Sequence, residues 1–183
     1  MINHIPADEI GILGAGHLGL SLAEVFLDTF LAKENLFLSH SENAETIDTI
    51  EKLGLTSNLK TIEELCNEMD ITFILIRPQN FSEFQKIKVN DNTLFVSGMA
   101  GVSIRSIGAK FGSNVCRIMT SGPATMKSKK AIVAIYPYNS KVAEILLKAK
   151  WLRKKVFPPS NAGGPGAVRY IINPKVYTNG QVA

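Results

Sequence analysis

Three glycines near the start of the chain have the spacing of a phosphate-binding turn. The segment Gly14-Ala15-Gly16-His17-Leu18-Gly19 follows the apolar run EIGIL and opens the amphipathic stretch HLGLSLAEVFL. In such a strand–turn–helix unit the first glycine permits a tight turn, the second leaves room for a pyrophosphate, and the third lets the helix pack closely on the strand. The helix N-terminus supplies free N–H groups to the phosphates. We therefore predict that this turn binds a dinucleotide pyrophosphate; a glycine-rich loop without a ligand is the alternative.

The end of the second predicted strand indicates which dinucleotide is preferred. An NAD site usually has Asp or Glu there, bonded to the ribose 2′-hydroxyl. Here the stretch reads Leu38-Ser39-His40-Ser41, without a carboxylate that would repel a 2′-phosphate. Ser39 and Ser41 can donate to such a phosphate, and His40 can donate or, when protonated, form an ion pair. We predict that NADP(H) is preferred over NAD(H), with a polar surface turn as the alternative.

Three later loops are predicted to lie near the nicotinamide. In an open parallel sheet the ligand lies over the carboxyl ends of the strands, where the strand order reverses. The loops at that edge are Arg77-Pro78-Gln79-Asn80, Ser97-Gly98-Met99-Ala100-Gly101 and Thr120-Ser121-Gly122-Pro123-Ala124. Arg77 is predicted either to contact a phosphate or a substrate carboxylate, or to form a surface ion pair. The candidate cofactor contacts from this region are Ile76, Arg77, Pro78, Gln79, Ala100 and Thr120.

No side chain receives a catalytic role from the sequence. Two of the three histidines, His17 and His40, already belong to the predicted cofactor site. No Ser-His-Asp arrangement, pair of carboxylates or metal-ligand cluster stands out, so no metal is predicted. A hydride-transfer domain needs few reactive groups of its own, because the cofactor carries the reaction.

The elements that must position these residues alternate along the chain. Strands are predicted at residues 9–13, 36–39, 71–76, 93–97, 115–119 and 131–135, and helices at residues 18–30, 43–53, 61–69, 103–111 and 140–152. Thr61 and Glu64 have the spacing of a capping box at the start of the third helix. The run Ile71 to Ile76 is continuously apolar, as in a central parallel strand covered on both faces. We therefore predict an α/β fold with a doubly wound, Rossmann-type, mostly parallel sheet and helices on both faces.

Composition excludes several classes of protein. The chain of 183 residues is 45% hydrophobic and 20% charged, with a formal charge of +4 and a mean hydropathy of +0.10. No apolar run approaches the roughly 20 residues of a membrane span, and no helix-turn-helix, zinc-finger or RNA-recognition signature occurs. Cys66 and Cys116 lie in apolar contexts and are predicted to be free buried thiols. We expect a cytoplasmic protein, without a signal peptide, that binds neither membrane nor nucleic acid.

The composition changes after Phe157, where PPSNAGGPGAV concentrates residues that resist regular structure. We predict a cofactor-binding domain over residues 1–157. Residues 158–183 are predicted to form a loop and tail that pack on this domain or on a partner subunit, because they are too few for a core of their own.

Four segments together resemble the N-terminal domain of pyrroline-5-carboxylate reductase. GILGAGHLG is similar to that family's opening fingerprint, and ITFILIRPQNF to its strand followed by a Lys-Pro-Gln turn. VSGMAGVSIRSI resembles the family's Ala-Ala-Gly segment, and VCRIMTSGPATM its Arg-Val-Met-Pro-Asn-Thr-Pro-Ala segment. The resemblance runs from about Glu9 to about Leu147. It departs from the family at Arg77, where the family has Lys, at Thr120-Ser121-Gly122, and in the helical dimerisation domain, of which only SNAGGPGAV gives a faint echo.

The resemblance implies an NADP-dependent oxidoreductase that transfers hydride to a small imine-like acceptor, as in proline biosynthesis, and that forms a homodimer. Two alternatives remain open. One is an enzyme similar to the deazaflavin:NADP oxidoreductases, which lack a large helical domain. The other is a non-catalytic NADP(H)-binding module or sensor.

Overall fold

The structure is a computed structural model that describes residues 8–40, 42–84, 87–120, 133–149 and 169–171, with the backbone only for residues 83 and 169–171. The strands in this part of the chain are β1 (Ile10–Leu13), β2 (Leu36–Ser39), β3 (Leu59–Lys60), β4 (Ile71–Ile74), β5 (Leu94–Ser97), β6 (Val115–Thr120), β7 (Val133–Tyr136) and β8 (Arg169–Ile171). The α-helices there are α1 (His17–Thr29), α2 (Ala44–Leu53), α3 (Ile62–Asn67), α4 (Ile104–Phe111) and α5 (Ser140–Lys148). Short 3-10 helices cover Lys33–Asn35, Thr56–Asn58 and Pro78–Glu83.

The strands form one mostly parallel sheet in the order β3-β2-β1-β4-β5-β6-β7-β8. The six strands from β3 to β6 are parallel, and β7 and β8 add to the edge in antiparallel orientation. Strand order reverses between β1 and β4, which are direct neighbours. This is the order 3-2-1-4-5-6 of the Rossmann fold, so the predicted fold class is confirmed.

Each face of the sheet is covered by its own set of helices. Helices α1, α2 and α5 pack on one face, with Phe26, Phe73 and Ile145 in that core. Helices α3 and α4 pack on the other face, around Phe95 and Phe111. All four residues of β4 are buried, because the strand lies at the centre of the sheet between the two cores. No helix in the described part of the chain combines the length and apolar character needed to cross a membrane.

Local signals in the sequence explain where the helices begin. Thr61 accepts from the backbone N–H of Glu64 at 3.2 Å, and the Glu64 carboxylate accepts from the N–H of Thr61 at 2.6 Å, which confirms the capping box. Asn43 caps α2 through the N–H of Thr46, and α2 ends at Gly54 in the left-handed conformation. The predicted free, buried thiols Cys66 and Cys116 are also confirmed.

Three differences from the predicted elements have simple physical reasons. Strand β4 ends at Ile74 rather than Ile76, because β1 already turns away at Gly14 and no strand remains to pair with the following residues. Strand β3 is absent from the predicted elements, because two residues are too few for a periodic pattern. Strand β8 lies in the predicted tail, which has no apolar alternation; its backbone pairs with β7 through Ile135, Ala134 and Val133.

Candidate cofactor site

A cavity of about 880 Å³ lies over the carboxyl ends of β1, β2 and β4, at the point where the strand order reverses. It is the place where an open α/β sheet binds its ligand. The predicted site residues that line it are Gly14, Ala15, Gly16, His17, Ser39, His40, Ile76 and Arg77. The glycine turn, the end of β2 and the loop after β4 therefore meet around one space.

The first and third glycines of the turn are fixed by backbone contacts. Gly14 has a φ of +107°, a conformation that side chains rarely allow, and an added Cβ would lie 2.7 Å from the backbone nitrogen of Ile76. At Gly19 an added Cβ would lie 2.2 Å from the Gly14 carbonyl oxygen. No real Cβ contact is that short, so α1 can approach the turn this closely only because residue 19 is glycine.

The middle glycine faces open space instead. A Cβ added at Gly16 would meet no atom within 4 Å, and Gly16 is exposed beside the cavity. The backbone N–H groups at the start of α1 adjoin the same space, since Gly16 is the N-terminal cap of that helix and no side chain caps it. An uncapped helix start beside an open cradle fits a phosphate group.

Ser39 holds the glycine turn from the neighbouring strand. Its hydroxyl oxygen accepts from the backbone N–H of Gly14 at 3.1 Å, and the residue is buried. A hydroxyl can accept and donate at the same time, so the Ser39 hydrogen remains available to a ligand. His40 is exposed and lines the cavity, whereas the predicted contact Ser41 lies outside the described residues.

A lysine that the sequence did not single out completes this side of the cavity. Lys60 lies on β3 beside Ser39, and its Nζ donates to the Glu68 carboxylate at 2.6 Å. Its Nζ is also 4.0 Å from the Glu64 carboxylate and 5.3 Å from the ring centre of Phe37. The hydrogen bond to Glu68 raises the pKa of Lys60, so the side chain is a cation at neutral pH.

Three helices begin at the rim of the cavity. Residues at the starts of α1, α2 and α3 line it, including the N-terminal caps Asn43 and Thr61. The backbone N–H of Thr61 holds the pKa of the Glu64 carboxyl below its usual value, with a smaller contribution from Lys60. The other cavity-lining residues absent from the predicted site are Leu13, Leu20, Ser21, Glu24, Glu45, Thr49, Ile62, Glu63, Leu75, Asn80 and Phe84.

The loop after β4 supplies the other predicted cation. Arg77 is exposed, precedes the 3-10 helix Pro78–Glu83 and lines the cavity. Among the described residues its guanidinium has no ion-pair partner, so it is available to a ligand. Lys110 holds this loop from α4: its Nζ donates to the carbonyls of Ser82 and Phe84.

The remaining predicted contacts do not line the cavity. Leu18 lies half-buried in the first turn of α1, where it packs against the core, and Gly19 is behind the turn. Pro78 and Gln79 are exposed at the start of the 3-10 helix. The exposed Ala100 follows β5, and the half-buried Thr120 ends β6. The predicted loop segment Ser121–Ala124 lies outside the described residues.

The residues missed by sequence reasoning come mainly from the starts of α2 and α3. The capping box at Thr61 predicts a helix start. In a parallel sheet a helix start can also follow the end of a strand, and Lys60, the last residue of β3, directly precedes Thr61. Within the described residues no group of three or more His, Cys, Asp or Glu side chains could hold a metal ion.

The fold and the cavity define a dinucleotide-binding domain of the kind found in oxidoreductases. The family described as "NADP oxidoreductase coenzyme F420-dependent" matches residues 9–101, just over half of the chain, and the chain belongs to that family. No curated protein gives a significant sequence match.

Solved structures of reductases have the same fold. Pyrroline-5-carboxylate reductase from Streptococcus pyogenes matches with a TM-score of 0.61 at 18% identity, over 83% of this chain and 58% of that one. Pyrroline carboxylate reductase from Plasmodium falciparum, with NADP bound, matches with a TM-score of 0.59 at 22% identity, over 78% and 55%. An imine reductase variant from Myxococcus stipitatus, with NAD+, matches with a TM-score of 0.61 at 15% identity, over 79% and 53%. The chain thus spans somewhat more than half the length of these proteins.

Proposed function

We propose that this chain is the cofactor-binding part of an NADP(H)-dependent oxidoreductase related to pyrroline-5-carboxylate reductase, with hydride transfer to a small imine-like acceptor. One observation carries the proposal: the open side of Gly16 and the end of β2, which is Ser39-His40 rather than a carboxylate, border the same cavity. Family membership and the reductase fold support it.

Each part of the site has a task in this proposal. The glycine turn and the start of α1 bind the pyrophosphate, while Ser39, His40 and Ser41 donate to the 2′-phosphate. Arg77 binds a phosphate or a substrate carboxylate. The bound nicotinamide supplies the hydride, and the protein supplies binding, orientation and exclusion of water. We place the nicotinamide towards Ile76, Pro78, Gln79, Ala100 and Thr120.

Binding of the two reduced cofactors is the first test. NADPH and NADH are titrated separately at the same salt concentration and followed by nicotinamide fluorescence and melting temperature. We expect NADPH to bind at least about tenfold more tightly, a difference of about 1.4 kcal/mol. A saturating ligand at about 100 times its Kd adds about 2.7 kcal/mol to the free energy of unfolding. Absence of binding by both cofactors would overturn the proposal.

Turnover is tested with cyclic imines, including pyrroline-5-carboxylate, by the loss of NADPH absorbance. Arg77→Gln separates an active enzyme from a non-catalytic NADP(H)-binding module. Arg105→Gln is the matched control, because Arg105 is an exposed arginine on α4. We expect Arg77→Gln to lower turnover as well as affinity, and Arg105→Gln to change neither. NADPH binding without oxidation by any acceptor identifies a non-catalytic NADP(H)-binding module.

The family description favours one further candidate, an enzyme that exchanges hydride between NADP(H) and the deazaflavin coenzyme F420. The matched residues contain the glycine turn, β2, β3 and the Arg77 loop, and every described residue that lines the cavity lies among them. Incubation with NADPH and oxidised coenzyme F420 distinguishes the two functions. Bleaching of the deazaflavin absorbance without reduction of imines selects this candidate.

We also propose that the protein is a homodimer, acts in the cytoplasm and serves proline formation. The dimer is supported by two large apolar side chains on neighbouring strands of the sheet, Met119 and Tyr136, which are 69% and 40% exposed. Size-exclusion chromatography with light scattering measures the mass of the particle. A mass of one chain at micromolar concentration contradicts the dimer.

A further inference from the structure

We propose that Lys60 determines the specificity of this site for a 2′-phosphorylated dinucleotide, as the cation that receives the 2′-phosphate beside Ser39 and His40. The inference rests on the proposed function, because it assumes that the cavity holds NADP(H). It adds a residue that lies on a two-residue strand twenty positions beyond the end of β2.

The sheet places Lys60 at the right point. Ser39 and Lys60 are paired in the parallel register of β2 and β3, and paired residues on parallel strands project from the same face. Ser39 uses its hydroxyl to hold Gly14, so this face is the one that carries the pyrophosphate turn. Lys60 lines the same cavity, and 23% of its side chain is exposed. The lysine is therefore accessible to a ligand that already occupies the turn.

The surroundings of Lys60 fix its side chain before a ligand arrives. The Phe37 ring lies under the ammonium group, Glu68 accepts its hydrogen bond, and Glu64 lies 4.0 Å away. An ammonium group has three donors, and the bond to Glu68 uses one. A phosphate monoester carries about −1.5 to −2 charges at neutral pH, so it attracts the ammonium strongly, whereas a 2′-hydroxyl does not. Lys60 therefore discriminates between NADP(H) and NAD(H).

The carboxylates of Glu64 and Glu68 affect the discrimination between NADP(H) and NAD(H) in two opposite ways. With Lys60 in place, its single positive charge offsets one of the two negative charges of Glu64 and Glu68, which lie next to the cavity-lining Lys60. Without Lys60, Glu64 and Glu68 are left unbalanced and repel a phosphate, again without an effect on a hydroxyl. Glu68 itself competes with the phosphate for the ammonium, so its neutralisation strengthens NADP(H) binding.

The test compares NADPH and NADH affinities in wild-type protein and in Lys60→Gln, Lys60→Arg and Glu68→Gln. Lys60→Gln should weaken NADPH binding about tenfold, the loss expected for one charge-assisted hydrogen bond at a partly exposed site, and change NADH binding less than about twofold. Lys60→Arg keeps the charge and should retain most of the NADPH affinity. Glu68→Gln should strengthen NADPH binding about threefold and leave NADH unchanged. Lys52→Gln, which removes an exposed lysine paired with Asp48 on α2, is the control.

The outcomes separate the inference from the proposed function. If wild-type protein binds neither cofactor, both are wrong. If it binds NADPH and Lys60→Gln weakens both cofactors equally, or neither, the inference alone is wrong. If Lys60→Gln does not fold, Glu68→Gln decides. A gain in affinity confined to NADPH supports the assignment of Lys60. No gain in affinity, or an equal gain for NADH, overturns it.

Discussion

The two halves of the sheet on either side of the junction between β1 and β4 differ in how completely they build the site. In the first half, β1 to β3 with α1 to α3, hydrogen bonds and close backbone contacts link the glycine turn, Ser39 and Lys60 around one cavity. In the second half, only the loop after β4 reaches that cavity among the described residues. Ala100 and Thr120, at the ends of β5 and β6, lie outside its lining.

The difference indicates that the proposed dinucleotide site is preformed at its phosphate end. Phosphate groups are bound by backbone N–H groups and by helix starts, which the parallel strands fix in place. A nicotinamide ring and its acceptor need shaped side chains, which come from loops. In the proposed function the phosphate end is complete within β1 to β4, whereas the nicotinamide end also uses the loops after β5 and β6.

The largest expected effect is on stability, from Gly19→Ala. Its Cβ would lie 2.2 Å from the Gly14 carbonyl oxygen, so α1 must move away from the turn. We expect the free energy of unfolding to fall by about 3 kcal/mol, at the upper end of overpacking in a core. Urea unfolding measures it.

The control lies in the second half of the sheet. Gly108 is also inside a helix, but a Cβ there meets no atom within 4 Å, so Gly108→Ala should be neutral or stabilise by up to about 1 kcal/mol. Equal losses in the two variants would remove the contrast between the halves.

Gly16→Ala should separate binding from folding. Its Cβ projects into open space beside the cavity, so the free energy of unfolding should change by less than about 1 kcal/mol. The methyl group occupies the space needed by the pyrophosphate, and we expect NADPH affinity to fall at least about tenfold. Calorimetric titration measures the affinity. Unchanged affinity would mean that the phosphates do not lie over this turn.

The sequence was a good guide to the first half and a partial one to the second. The glycine spacing and the capping box at Thr61 each reflect a local physical requirement that can be recognised in a few residues. Lys60 could not be found in this way, because its position beside Ser39 depends on the pairing of two strands that are distant in sequence. A strand at β7 is predicted from the sequence, but its antiparallel orientation and the strand β8 follow from pairing with other strands, which no local pattern encodes.

The two buried thiols test whether the contrast between the two halves of the sheet extends from the cavity into the hydrophobic core. Burial raises the pKa of Cys66, on α3, and of Cys116, on β6, to about 12 from an ordinary value of 9.0. A thiol whose pKa is higher in the folded state contributes fully below pH 9, and this contribution is lost as the pH rises towards 12. At pH 10 the loss is about 1 kcal/mol for each thiol.

Urea unfolding at pH 8 and pH 10 measures this loss, with Cys66→Ala and Cys116→Ala as references. Between the two pH values, the free energy of unfolding of each variant should fall by about 1 kcal/mol less than that of the wild type. If the two variants reduce the pH dependence equally, Cys66 and Cys116 are equally shielded from water, and the contrast between the halves is confined to the cavity. A pH dependence that only one variant reduces would extend the contrast into the core.

The smallest expected change in cofactor affinity concerns the loop after β4, which reaches the cavity from the second half. Lys110 donates to the carbonyls at the end of the 3-10 helix and lies 5.0 Å from the ring centre of Phe81. Lys110→Met keeps the apolar stem but removes the donors, and should lower the free energy of unfolding by about 1 kcal/mol. Because this helix follows Arg77, the affinity for NADPH should fall only about twofold. Urea unfolding and NADPH titration measure both changes. A loss of affinity as large as that of Gly16→Ala would show that the second half organises the phosphate end as well, and the two halves would then act as one unit.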